Sequence, residues 1–186
     1  MMIDILASTL LYYDAEVDVI VLRNDVVELP GGLQIKLQRG TKVKLPFVVV
    51  KELEGKGSVK LDEEKLLDFT SVRKQTWMEE KTDGLSSLDE NFYLRLKLYL
   101  YMLKRRVSSG DEAAQSLLEK MRIAFLDLLR LRLTKIVKLA ASHPGISKEV
   151  MSSMTKEEQI LYVSLCKSIS EWTQSMKMFV LDDKYG

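Results

Sequence analysis

The 186-residue chain is short of the side chains that carry most enzyme chemistry. It holds one histidine, His143, and one cysteine, Cys166. A histidine with no Cys or His companion does not make a metal site. A single cysteine excludes an internal disulfide and fits a reducing compartment. Cys166 also falls in the apolar register of a helical stretch, where a thiol behaves as a small hydrophobe. Lys and Arg total 28 and Asp and Glu 27, a net charge of +1. The strong basic excess typical of nucleic-acid binders is therefore missing, although local patches remain open. No apolar run approaches the roughly 18 residues of a membrane span. The opening MMIDILASTLLYYD has no basic n-region and places Asp4 early, so no signal peptide is expected. A soluble, cytoplasmic protein without membrane contact is the expectation.

Catalytic groupings are also absent. Pro30-Gly31-Gly32 has neither the spacing nor the lysine of a phosphate-binding loop. The acidic groups Asp62-Glu63-Glu64, Glu79-Glu80 and Asp182-Asp183 read as helix-end or solvated carboxylates. None forms an acid/base pair with an orienting partner. No enzyme activity, cofactor or metal is expected.

Glycine and proline are few and unevenly placed. Pro30, Gly31, Gly32, Gly40, Pro46, Gly55 and Gly57 all lie in the first 57 residues. From about residue 62 the chain is rich in Leu, Lys, Glu, Ser and Met. This shift predicts an α+β protein: a small β-rich domain over 1–61, then a larger all-α domain over 62–186.

In the first part, Val17, Val19 and Val21 alternate with polar neighbours, and Arg23-Asn24-Asp25 can turn the strand. Residues 33–38 and 42–45 alternate as well. Pro46 can open a helix, but Val48 to Val50 favour strands, so local physics leaves Phe47 to Glu54 open between helix and strand. In the second part Asp62 can cap a helix running toward Met78, stopped by Thr82-Asp83-Gly84. Capping-box patterns at Ser87–Glu90, Ser109–Glu112 and Thr155–Glu158 predict helices over about 88–106, 110–141 and 156–180. A short helical turn is expected between Ser147 and Met154.

Three helix faces bear on function. On the last helix Tyr162, Cys166, Ile169, Trp172, Met176 and Phe179 recur at three- and four-residue steps and predict one dry side. The helix from residue 88 is apolar nearly all round, through Phe92, Tyr93, Leu96, Tyr99, Leu100 and Leu103. It needs cover on most sides, from a second chain or from its own neighbours. On the helix between them, Arg132, Lys135 and Lys138, with Arg130 nearby, can form a basic stripe. Such a stripe could touch DNA phosphates or serve as a solvated or ion-pairing face.

The stretch GTKVKLPFVVVKEL followed by a Gly turn and a strand resembles the small β domain of GINS subunits. Gly40, Leu45, Pro46, Phe47 and Leu53 occupy that pattern, with Phe47 where Trp is more usual. Asn91-Phe92-Tyr93 opening a long apolar helix, and the run from Leu129 to Ala140, resemble the family's helical domain. Because the β part comes first, the chain resembles the small-domain-first class, and its brevity the archaeal form. The resemblance implies a non-catalytic scaffold in a hetero-oligomer with a paralogous GINS subunit, a 2+2 tetramer. It also implies a link between the MCM replicative helicase and a RecJ-like partner at replication forks, near the nucleoid, with weak DNA contact at most. It makes Phe47 to Leu53 a short helix on the small sheet, started by Pro46 and anchored by Phe47, with Leu45, Pro46, Phe47 and Leu53 as a docking elbow. It makes Phe92, Tyr93, Leu96, Tyr99, Leu100 and Leu103 the subunit interface. Two alternatives from other classes are a DNA-binding regulator using Arg130, Arg132, Lys135 and Lys138, and an enzyme with an unfamiliar site.

Overall fold

A computed structural model describes residues 12–13, 15–28, 31–142 and 145–181. Pro30, His143, Asp182 and Asp183, singled out above, lie outside the described residues, as does the opening stretch 1–11. The architecture is α+β, with strands first and a larger helical region after them, as expected. Two compact units are formed, one from 1–67 with 93–102 and one from 68–92 with 103–186.

The first unit is built on β1 (Glu16–Val21), whose alternation buries Val17, Val19 and Val21 on one face. β1 is central in a three-stranded antiparallel sheet. It pairs with β4 (Lys42–Pro46), matching Val17 to Leu45, and with β5 (Val59–Leu61), matching Val21 to Val59. β2 (Asp25–Glu28) and β3 (Gln34–Leu37) form a separate antiparallel hairpin. β2 was not anticipated: it is four residues long, and its DVVE pattern buries only Val27.

Phe47–Gly55 is a helix, α1, so the resemblance decided what local propensity left open. Pro46 does not open it from the first helical position. It ends β4 in an extended conformation at the N-cap, where its missing N–H costs nothing. The anchors are Val49, Val50 and Leu53, which are buried, while Phe47 keeps part of its surface. A sheet-facing helix of this length docks through the i, i+3, i+4 positions, and Phe47 lies off that stripe. α1 ends in a Schellman turn: the Ser58 N–H donates to Leu53 O at 2.9 Å and the Gly57 N–H to Glu54 O at 3.0 Å. Gly57 takes φ +67°, open to glycine without strain.

The second helix begins later than the sequence suggests. Glu63–Lys65 is one 3-10 turn, and α2 spans Phe69–Lys81. Asp68, not Asp62, is the cap: its Oδ1 accepts from the Ser71 N–H at 2.9 Å. Asp62 is buried and instead meets Lys42 Nζ at 2.9 Å, tying the start of β4 to the end of β5. α3 (Phe92–Ser108) also starts late, after Asn91, and Ser87–Glu90 forms no capping box. α4 (Glu112–Ser142) follows a second Schellman turn at Gly110, and its first turn is capped by Asp111, whose Oδ1 accepts from the Ala114 N–H at 2.9 Å. A single short turn of helix, α5 (Lys148–Met151), is capped by Ser147 and leads to α6 (Lys156–Leu181). Only here does the capping box close. The Thr155 N–H donates to Glu158 Oε2 at 3.0 Å and the Glu158 N–H to Thr155 Oγ1 at 3.4 Å.

In the second unit α4 packs against α2 and α6. Ile136, Ala140, Met154, Tyr162 and Cys166 form one buried cluster.

Candidate functional site

The geometry of the second unit starts from one residue in the core register of α4. Leu128, Arg132, Ile136 and Ala140 follow at four-residue steps and all are buried. Arg132 is 0% exposed, and its guanidinium uses all five donors. Nε and Nη2 grip Glu158 in a fork, at 2.5 and 2.7 Å. Nη1 meets Glu79 Oε2 at 2.7 Å and Ser86 O at 2.8 Å, and Nη2 meets Ser153 O at 3.0 Å. Ser86 adds its hydroxyl to Glu79 Oε2 at 2.6 Å. Lys135, one turn on, contacts Glu79 Oε1 at 3.0 Å. Its ammonium also donates to Glu79 O, to Thr82 O at 2.6 Å and to Gly84 O at 2.8 Å. It thus satisfies carbonyls at and beyond the end of α2 that no helical amide can reach.

Two positive and two negative groups therefore balance in the interior. Burial pushes the Glu79 carboxyl up. The hydrogen bonds from Ser86 and Lys135 and the charges of Arg132 and Lys135 outweigh that, and hold it below the ordinary carboxylate range. The cluster joins α2, the 82–88 loop, α4 and the start of α6, and its role is architectural. It also dissolves the basic stripe: Arg130 and Lys138 are exposed, Lys135 is half-buried on carbonyls, and Arg132 has no solvent face. Sequence reading missed the cluster. The available signal was an arginine in an apolar i, i+4 register, together with a capping-box glutamate that could serve twice.

The remaining sequence-selected residues divide in a similar way. Phe92, Leu96, Tyr99 and Leu103 are covered by the chain itself, and Tyr93 and Leu100 keep partial exposure. In the small unit Leu45 and Leu53 are buried, while Pro46 and Phe47 are partly exposed.

The outer side of α4 exposes large apolar side chains among charged ones such as Arg122 and Arg130. Ile123, Leu126, Leu133 and Val137 line the outer side of α4 at three-, seven- and four-residue steps, with Leu129 beside them, and all five are exposed. Apolar exposure of this kind makes the outer side of α4 a candidate interaction surface. No group of His, Cys, Asp or Glu among the described residues could hold a metal ion. No helix among them is long and apolar enough to cross a membrane.

Residues 63–177 match the family described as the GINS complex protein helical bundle domain (Sld5). The chain belongs to the GINS family. Well over half of it is matched, from the 3-10 turn before α2 through α6 as far as Lys177. No curated protein matches it. Membership makes the chain a subunit of the GINS complex of DNA replication, in a family of non-catalytic subunits, associated with other GINS subunits. The exposed stripe on α4 lies within the matched region.

Proposed function

We propose that this chain is a scaffold subunit of the small-domain-first GINS class, in which the helical unit assembles with a paralogous GINS subunit and the small unit presents a docking module. In this reading the complex is a 2+2 tetramer that links the MCM replicative helicase to a RecJ-like partner and supports fork unwinding, in the cytoplasm beside the nucleoid. The observation that carries it is the apolar stripe Ile123–Val137 on α4, within the region matched to the family's helical bundle. Five large apolar side chains open on one helix, with Arg122 and Arg130 exposed among them, suit a subunit interface, where Arg is enriched alongside apolar residues. Tyr93 and Leu100 are the sequence-selected interface residues with surface left to contribute. On the small unit, Pro46 and Phe47 sit at the junction of β4 and α1 with part of their surface open, as a docking elbow requires.

The test is the native mass of the tagged chain isolated from its own cells, with identification of the chains that accompany it. The expected result is a complex of about four similar-sized subunits with MCM and RecJ-like chains trailing. A Leu126→Glu, Leu133→Glu chain is expected to leave that complex while keeping its helix content. A wild-type chain that runs alone, or a double variant still fully assembled, would overturn the assignment.

A further inference from the structure

The outer face of α2 carries cations that the described chain leaves unneutralised. α2 buries Val72, Thr76 and Glu79. At 3.6 residues per turn the opposite face is made by Thr70, Lys74, Trp77 and Lys81, with Arg73 on its flank, and all five are exposed. Trp77 keeps 58% of its surface open. Arg73 and Lys74 stand one turn before the indole and Lys81 one turn after it, as neighbours on the helix surface. Among the described residues no carboxylate pairs with Arg73, Lys74 or Lys81. The acids of the same helix are spent or set aside. Glu79 is turned inward onto Arg132 and Lys135, Asp68 caps the first turn, and Glu80 lies on the flank, two turns from Arg73. The basic stripe expected on α4 is largely consumed in the core, and the free one lies on α2.

A bare indole between cations selects its ligand. The ring face stacks on any unpaired base, and cations on either side meet the phosphates that flank that base. Lys74 and Lys81 are about 10 Å apart along the axis, with the indole between them. A base inside a duplex has both faces covered by its neighbours, so a paired strand brings only phosphates. An acidic peptide neutralises the cations without giving the ring a flat partner. An apolar protein groove would bury three unpaired charges, which is costly.

We propose that the outer face of α2 binds an unpaired nucleic-acid strand, with one base stacked on Trp77 and the flanking phosphates held by Arg73, Lys74 and Lys81. The face belongs to one helix and needs no other subunit, so the proposal stands apart from the assembly reading.

The chain has two tryptophans, Trp77 and Trp172, so Trp172→Phe leaves Trp77 as the only indole. The experiment titrates that variant with a short oligothymidylate and follows the indole emission. Expected is quenching that saturates, with log affinity falling against log salt at a slope of about −2, as for three phosphate contacts on a single strand. Lys81→Gln is expected to bring that slope to about −1.4. Trp77→Leu, followed by anisotropy of a labelled oligothymidylate, is expected to weaken binding by about 5- to 150-fold with an unchanged melting point, since the ring is exposed. A duplex of the same length is expected to leave the emission unchanged. An indole indifferent to the oligothymidylate overturns the proposal. So does equal quenching by the duplex, or an affinity that survives both Trp77→Leu and Lys81→Gln. None of these outcomes touches the assembly reading, which native mass tests by itself.

Discussion

The two halves of α6 carry the same pattern and meet different fates. Tyr162, Cys166 and Ile169 continue into Trp172, Met176 and Phe179 at the same helical spacing. Yet Tyr162 is fully buried, and Phe179 is the most exposed large apolar side chain among the described residues. The charged groups of this unit show the reverse contrast. Arg132, in an apolar register, is sealed inside, while large apolar residues of α4 face outward. Periodicity reports that a face needs cover, and says nothing of who supplies it. A subunit of an assembly can fill its own interior with an ion cluster and keep apolar surface for its neighbours.

Breaking this comparison at its buried end gives the largest effects. Arg132→Ala leaves Glu158 with the Thr155 amide but without its guanidinium, and strips Glu79 of one of its two cations. Losing one side of a buried pair costs about 3–5 kcal/mol, so a thermal melt is expected to fall by about 6–20 °C at this chain length. A melting point within a degree or two of wild type would show that the cluster is replaceable by packing.

The sharpest contrast lies within α6. Tyr162→Ala is expected to cost about 3–5 kcal/mol, the range for emptying an aromatic site in a core. Trp172→Ala in the isolated chain is expected to stay within about 0.5 kcal/mol, as for an exposed site without partners. Equal losses in denaturant titrations of the two variants would mean that the second half of α6 is packed against its own chain.

Two carboxylates whose pKa values are shifted in opposite directions sharpen the comparison by pH, and Glu157 carries the smallest effect. Glu79 is held below its ordinary pKa in the folded state. Its stabilisation is complete above the unfolded value of about 4.3 and is lost as pH falls through the folded value. Glu157 is pushed the other way, by burial first and by the charge of Glu158, against the help of its own backbone amide, and its Oε2 is enclosed without a donor. Its ionised form therefore costs stability at neutral pH. Glu157→Gln is expected to raise stability at pH 7 by under about 1 kcal/mol, a gain that fades as pH drops through the folded pKa of Glu157. Glu79→Gln is expected to lower stability at pH 7 and by more, toward about 3–5 kcal/mol, the cost of a broken buried pair, because Arg132 and Lys135 both lose their anion. Melts of both variants from pH 7 to pH 4 check the two signs, and a gain for Glu79→Gln at pH 7 would contradict the ion-pair account.

Much of the architecture was legible in the residues. The alternation of Val17, Val19 and Val21, the glycine-poor chain after residue 62, and the Thr155–Glu158 capping box each predicted an element that exists. Helix starts were less legible. Ser87–Glu90 had the capping pattern without the cap, and Asp62 lost the role to Asp68 because Lys42 claimed its carboxylate. A capping motif is a local offer, and a tertiary partner can outbid it. The four basic residues of α4 looked alike on a helical projection. Only the fold sorted them into one buried, one on carbonyls and two in solvent.

By itself the sequence determined the α+β order, the helical periods and the likeness to GINS subunits. These follow from composition and short-range spacing, which every residue carries with it. The tertiary structure alone decided that Arg132 is a core residue, that the chain covers most of α3, and that the second half of α6 stays exposed. Burial depends on which elements meet and where each of them ends, and those are properties of residues far apart in the chain.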